Sequence, residues 1–203
     1  MLFDEVLARV DHALKRELPG QSAQARMGPR PRREWPEGMR MRHAASLLLL
    51  APYRQSAAIV LTVRATGLDR HSGQVSMPGG VIEADETPEG AAVREAHEEI
   101  GLESAHVRVI GALTPIDIPV SGFRLHPIVG AVAIMPPLTP VPREVARVLT
   151  VPLDDLRDHS RIVWRTVRQN DRELEFPFLP FEGVEIWGAT AMVLAEFLAL
   201  LET

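Results

Sequence analysis

A chain of 203 residues with 46% hydrophobic content can bury one full core, and a single domain over 1–203 is expected. It has no cysteine, which excludes disulfides, thiolate-bound zinc and a thiol nucleophile, so any metal must be held by oxygen or imidazole. The net charge of -5 is segregated: six arginines against Glu34 and Glu37 give the stretch from Arg26 to Arg42 a local +4 and leave -9 elsewhere. That stretch is short and its only aromatic is Trp35, so it suits an anionic small molecule better than nucleic acid.

In chain order, Leu2, Val6, Val10 and Leu14 recur on one helical face before Pro19-Gly20 stops the pattern. Charges are mixed through this leading helix, which is unlike a secretory signal, and the cytoplasm is the expected location. Gln21 to Met41 is rich in Pro, Gly and Arg without a period and reads as an irregular connector. Residues 1–43 are therefore expected to form a helix and an Arg/Pro-rich connector, and 44–203 the core. From Ala44 short apolar runs predict strands at Ser46–Leu50, Ala57–Val63, Val107–Ile116, Pro127–Ile134 and Val145–Val151.

Between the second and third run, Thr87 can cap a helix, Pro88 suits its first turn and Gly101 suits the left-handed position past its end. Later, Ile162–Arg168 and Glu173–Phe178 read as a strand pair around Gln169-Asn170-Asp171, and Trp187–Leu201 as a closing helix. The apolar runs Ala44–Pro52 and Ala189–Leu201 fall short of the about 20 residues that span a bilayer, so no membrane partner is expected. Leu194, Phe197, Leu198 and Leu201 read as core or as a homodimer contact. Phe176, Phe178 and Phe181 read as one buried strand face, Trp187 as packing, and His71 and His126 as hydrogen-bonding residues in preference to ligands.

On the helix from Thr87, Glu95, Glu98 and Glu99 fall at i, i+3 and i+4, so three like charges crowd one edge while Ala92, Val93, Ala96 and Ile100 form an apolar face. Clustered carboxylates call for a hard cation, and oxygen ligation points to Mg2+ or Mn2+. Arg94 can orient a carboxylate through a bidentate bond. Met77-Pro78-Gly79-Gly80 places small residues just upstream, where backbone can approach a phosphate or lend a carbonyl to a metal. Glu86 stands eight residues before Arg94, available to tie this loop to the helix.

Gly80, Glu86, Arg94, Glu95, Glu98, Glu99 and Gly101 together resemble the Nudix box, G-x5-E-x7-R-E-U-x-E-E-x-G-U, with Leu102 at the final aliphatic position and Ala96 smaller than usual at the other. The resemblance implies an α/β/α sandwich with a mixed sheet, and hydrolysis of a nucleoside diphosphate linked to another group. It further implies that Glu95, Glu98 and Glu99, with the Gly80 carbonyl, bind divalent metal or help to activate water, Arg94 serving beside them.

Upstream, Leu61-Thr62-Val63-Arg64-Ala65, then Leu68, His71, Gly73, Val75 and Pro78-Gly79-Gly80, resemble the coenzyme A pyrophosphatase subgroup, which Asp69 and Met77 depart from. The similarity continues through Pro115–Pro127, Val151-Pro152-Leu153 and Ile186–Ala191. It implies a coenzyme A-like substrate cleaved to 4'-phosphopantetheine and adenosine 3',5'-bisphosphate, whose charges would suit Arg64 and Arg70 beside Gly79 and Gly80. ADP-ribose or a dinucleotide is the rival substrate, and a non-catalytic nucleotide-binding module the rival class.

Overall fold

The run Leu47 to Ala51 is fully buried, and its alternate side chains supply two separate cores, which is how a central strand covered on both faces must read. Leu48 and Leu50 face one core and Leu47, Leu49 and Ala51 the other. This strand is β1 (Arg42–Tyr53) of a computed structural model that describes residues 1–32, 38, 40–54, 56–65, 73–169 and 172–202.

β1 turns back into β2 (Ser56–Arg64), and the chain then adds β3 (Val75–Ser76), β4 (Gly79–Val81), β5 (Arg108–Ala112), β6 (Ile116–Ile118), β7 (Phe123–Ala131) and β8 (Val145–Pro152) to the same sheet. The order runs β3-β2-β1-β7-β5, with β4 on β1, β6 on β7 and β8 on β2. β1 and β7 are parallel and the other pairs antiparallel, so the sheet is mixed. Helix α3 (Pro88–Ile100) covers one face through Ala91, Ala92, Ala96 and Ile100. The other face is covered by α1 (Phe3–Ala13), through Val6 and Val10, and by α5 (Gly188–Leu200), through Phe197 and Leu200. This is the α/β sandwich expected.

The late strand pair is β9 (Val163–Gln169) with β10 (Arg172–Phe181), joined by β11 (Val184–Ile186) in a second, three-stranded sheet. A short helix, α4 (Leu153–Arg157), follows β8. Several strand limits differ from expectation. β1 extends back to Arg42 because β4 and β7 supply partners to its polar start, and Val107–Ile116 breaks into β5 and β6.

The connector is not wholly irregular, since Gly20–Gln24 forms α2 and Ala25–Met27 a single 3-10 turn. Tertiary bonds hold this segment: Gln24 Nε2 donates to Glu196 Oε2 at 2.7 Å and the Gly20 N–H to Glu196 Oε1 at 3.2 Å. Glu196 is fully buried in α5 and takes a further bond from the Thr114 N–H at 3.2 Å. Leu194, Phe197, Leu198 and Leu201 are all buried within the chain, so they are core. Phe176 and Phe178 meet Trp187 with ring centroids 5.6 and 5.4 Å apart, whereas Phe181, three positions on from Phe178, packs into the α5 core instead. Among the described residues no helix is long and apolar enough to cross a membrane.

Candidate active site

Helix α3 begins at Thr87, whose hydroxyl accepts from the Gly90 N–H at 3.1 Å, and ends at Gly101 with φ 67°. These caps fix its rotation. Ala91, Ala92, Ala96 and Ile100 face the sheet and, in a correction to the expected apolar face, Val93 is only half-buried. The same rotation turns Glu99 inward, to 5% exposure, while the Glu98 side chain stays 52% exposed. The three carboxylates therefore do not share one solvent-facing edge.

Arg94 organises what lies between them. Its Nε and Nη2 donate to the two oxygens of Glu86 at 2.9 and 3.0 Å, the bidentate fork that ties loop to helix. Its Nη1 donates to Glu95 Oε1 at 3.0 Å and to Glu98 Oε2 at 3.1 Å, and Nη2 also reaches the Val81 carbonyl at 3.1 Å. The fork holds the Glu86 carboxyl below its ordinary range and raises the Arg94 guanidinium further still. Arg94 touches three carboxylates and one backbone carbonyl, which makes it a candidate positioning residue.

Gly79 and Gly80 lie in β4, paired with Ser46 and Ala45 of β1. A Cβ on Gly80 would overlap the Glu95 carboxylate, and one on Gly79 would stand 2.7 Å from the Ser46 Cα. Both positions need glycine for close approach rather than for a positive φ. Burial pushes the Glu95 carboxyl up, against the pull of Arg94. Burial likewise pushes the Glu99 carboxyl up to about 7; Arg64 and the Gly79 N–H work against that rise and Glu95 and Glu144 add to it.

Glu144 is a residue that reasoning from sequence missed. It stands beside the end of β2, where its carbonyl accepts from the Ala65 N–H at 2.9 Å, and its charge bears on both Glu95 and Glu99. Its only signal is a carboxylate just before a strand, outside any motif.

Among the described residues, two buried atoms near the centre have no hydrogen-bond partner, Glu99 Oε2 and Arg64 Nε. An acceptor and a donor left unmatched in one place mark where a third group belongs. Glu95, Glu98, Glu99, Gly79, Gly80, Arg94 and Arg64 are thus brought to one end of the sheet, while Leu68, Asp69, Arg70 and His71 lie outside the described residues. His126 is hydrogen-bonded as expected: its Nε2 is 2.9 Å from His43 Nδ1, on β7, across β1 from Gly80. A largely apolar pocket of about 160 Å³ lies on the α5 face, lined by Leu179, Leu194 and Leu198 among others, away from these carboxylates.

A family model described as NUDIX domain matches residues 40–171. The chain belongs to the Nudix family. "Uncharacterized Nudix hydrolase NudL" of Enterobacter sp. (strain 638) is 33% identical over 159 residues, covering 76% of this chain and 81% of that protein. The protein of the same name from Salmonella newport (strain SL254) is 35% identical over 157 residues, covering 75% and 79%. Among solved structures, a Nudix hydrolase from M. smegmatis, RenU, is 32% identical with a TM-score of 0.50, covering 58% of this chain and 75% of that one. The MutT protein of Methanosarcina mazei Go1 shares the fold at 14% identity, with a TM-score of 0.53 and coverage of 83% and 100%.

This Nudix hydrolase acts on pyrophosphates, and hydrolases of the family generally use divalent metal ions. The donor set fits such an ion in kind: carboxylate oxygens, one buried and unmatched, with the Glu95 carboxylate drawn close over the Cα of Gly80. Among the described residues no three acidic or histidine side chains are gathered closely enough to chelate one ion as they stand. Arg94 accounts for this, since it draws Glu95 and Glu98 to itself while Glu99 turns under Gly79. Each of those two carboxylates keeps one oxygen that Arg94 does not bond, Glu95 Oε2 and Glu98 Oε1.

Proposed function

We propose that this Nudix hydrolase cleaves the pyrophosphate of coenzyme A or its derivatives, giving 4'-phosphopantetheine and adenosine 3',5'-bisphosphate, with Mg2+ or Mn2+. The observation that carries the reading is Arg64. It belongs to the Leu61–Gly79 stretch that resembles the coenzyme A subgroup, and its buried, unmatched Nε stands with the unmatched Glu99 oxygen. A phosphate oxygen answers the first and a divalent ion the second.

In this reading Glu95, Glu98, Glu99 and the Gly80 carbonyl hold the metal, which when bound neutralises the pyrophosphate and lowers the pKa of water. Arg94, anchored by Glu86, sets the positions of Glu95 and Glu98. Arg64 and Arg70 take phosphate charge, and Gly79 and Gly80 let backbone come close to it. Hydrolysis joins the water oxygen to one phosphorus as the bridging P–O bond breaks and the departing phosphate keeps the electron pair. Residues 1–43 and 44–203 act as one unit, a reading supported by the bonds from Gly20 and Gln24 to Glu196.

The test is kcat/KM for coenzyme A, ADP-ribose and a dinucleotide with magnesium, together with mass spectrometry of the products formed in oxygen-18 water. Coenzyme A is expected to lead by about tenfold or more, with label in a single product. A higher value for ADP-ribose or the dinucleotide would overturn the substrate assignment.

A further inference from the structure

The end of β2 leads from the acidic site to a second feature. Where Arg64 turns its side chain toward Glu99, its backbone bonds Gly73 and Gln74: the Arg64 N–H donates to the Gln74 carbonyl at 3.0 Å and the Gly73 N–H to the Arg64 carbonyl at 3.2 Å. Gly73 and Gln74 line an open cleft of about 740 Å³ together with the β10–β11 hairpin, Phe181 to Glu185, and Trp187. That volume is of the order that small-molecule sites present.

The cleft is fastened to the strand end rather than loosely apposed. Val63, the neighbour of Arg64, pairs with Arg147, whose Nη2 donates to the Glu182 carbonyl at 3.1 Å. The Thr190 hydroxyl donates to the buried Val75 carbonyl at 3.0 Å and pins the start of α5 to β3. Val63 faces the α5 core and Arg64 faces Glu99, so cleft and carboxylates lie on opposite faces of one sheet end. A single ligand that touches both must carry a long, flexible arm around the rim.

The charges of the cleft settle what kind of arm. Arg161 donates to Asp155 Oδ1 and to the Pro180 carbonyl, both at 2.8 Å; Arg147 pairs with Glu182 and Arg165 with Glu185. Each of these arginines is matched by one carboxylate, and of the described residues that line the cleft one is an arginine and two are glutamates, Glu182 and Glu185, so among the described residues it offers a phosphate no excess cation. Gly73 and Gly183 have open space above their Cα atoms, which leaves bare backbone at the surface. Peptide-like backbone beside the Trp187 ring suits a neutral chain of amide groups.

We infer that the cleft between Gly73-Gln74 and the β10–β11 hairpin is a specificity subsite for the neutral, amide-bearing arm attached to the pyrophosphate. The inference rests on the coenzyme A reading above. It assigns the nucleotide end to the arginine side of Arg64 and the uncharged end to the hairpin.

The test compares coenzyme A with 3'-phosphoadenosine 5'-(methyl diphosphate), which keeps the nucleotide, the 3'-phosphate and the pyrophosphate but replaces the arm with a methyl group. The wild type is expected to favour coenzyme A in kcat/KM, and Glu182→Trp, which fills the cleft, to lower that preference by about tenfold, through KM. An equal loss on both compounds, as a nucleobase in the cleft would give, overturns the inference, and so does an unchanged preference. A wild type that cleaves neither compound removes the coenzyme A reading itself and the inference with it. Far-UV circular dichroism checks folding, and Glu185→Trp fills the same space if Glu182→Trp does not fold.

Discussion

Glu99 carries opposing demands on one side chain. It is buried with an unmatched oxygen, and burial raises its carboxyl from 4.5 to about 7. Unfolded chains ionise this group from about pH 4.5 upward while the folded state resists until about pH 7. Its penalty on metal-free stability is therefore absent below that window, grows across it and is complete above it. Glu99→Gln should raise the melting temperature at pH 8 in EDTA, with no gain at pH 4, while lowering kcat by about a hundredfold or more with magnesium present. Calorimetry and steady-state assays check the two halves, and a drop in the EDTA melting temperature at pH 8 would count against the buried charge. Arg64→Ala should raise KM about tenfold with kcat less affected, because it removes a binding contact. The carboxylate triplet was legible as a spacing on a helix; the inward turn of Glu99 was not, because spacing reports neighbours and not the depth of each one.

At the level of elements, the loop and helix that present these groups are locally encoded. Thr87, Pro88 and Gly101 bound α3 where their backbone preferences place them, and Thr87→Ala should cost about 1 kcal/mol in urea unfolding. Gly79→Ala is a sterner substitution: its new methyl would meet the Ala45 carbonyl and the Ser46 Cα across the β1–β4 pair. An overpacked backbone contact of this kind costs about 3 kcal/mol, with accompanying loss of activity as β4 is displaced from β1. Elements held by distant partners were less legible. Arg42 and His43 read as polar connector yet lie in β1 because Phe123 and Arg124 of β7 pair with them. Helix α2 carries no period in its five residues and is held by its bonds to α5.

For the molecule as a whole, the decisive long-range group is Glu196. Its two oxygens receive the Gly20 and Thr114 N–H groups and the Gln24 amide, joining the N-terminal segment, the approach to β6 and α5 at one point. Glu196→Leu strands the part-buried Gly20 and Thr114 N–H groups and takes one of the two acceptors of the Gln24 amide, which should lower stability by about 2 kcal/mol or more. Faster amide exchange at Gly20 and Thr114 would accompany it; unchanged exchange there would show that the node is not holding the segment. From sequence, α5 was recognisable as a packed helix, but not the carboxylate within it as the anchor of residues 20–24, since nothing in either segment names the other.

The packing of α1 beside α5 also bears on how the chain reaches this state. Val6 and Val10 share a core with Phe197 and Leu200, and Arg9 donates to the Leu201 carbonyl across 192 positions of sequence. Such a high contact order favours slow folding, because much loop entropy is surrendered before those contacts form. Once made, α1 waits with its apolar face uncovered until β1, β2 and β5, the strands it packs on, have followed, a window in which a chaperone that shields short amphipathic helices has something to hold.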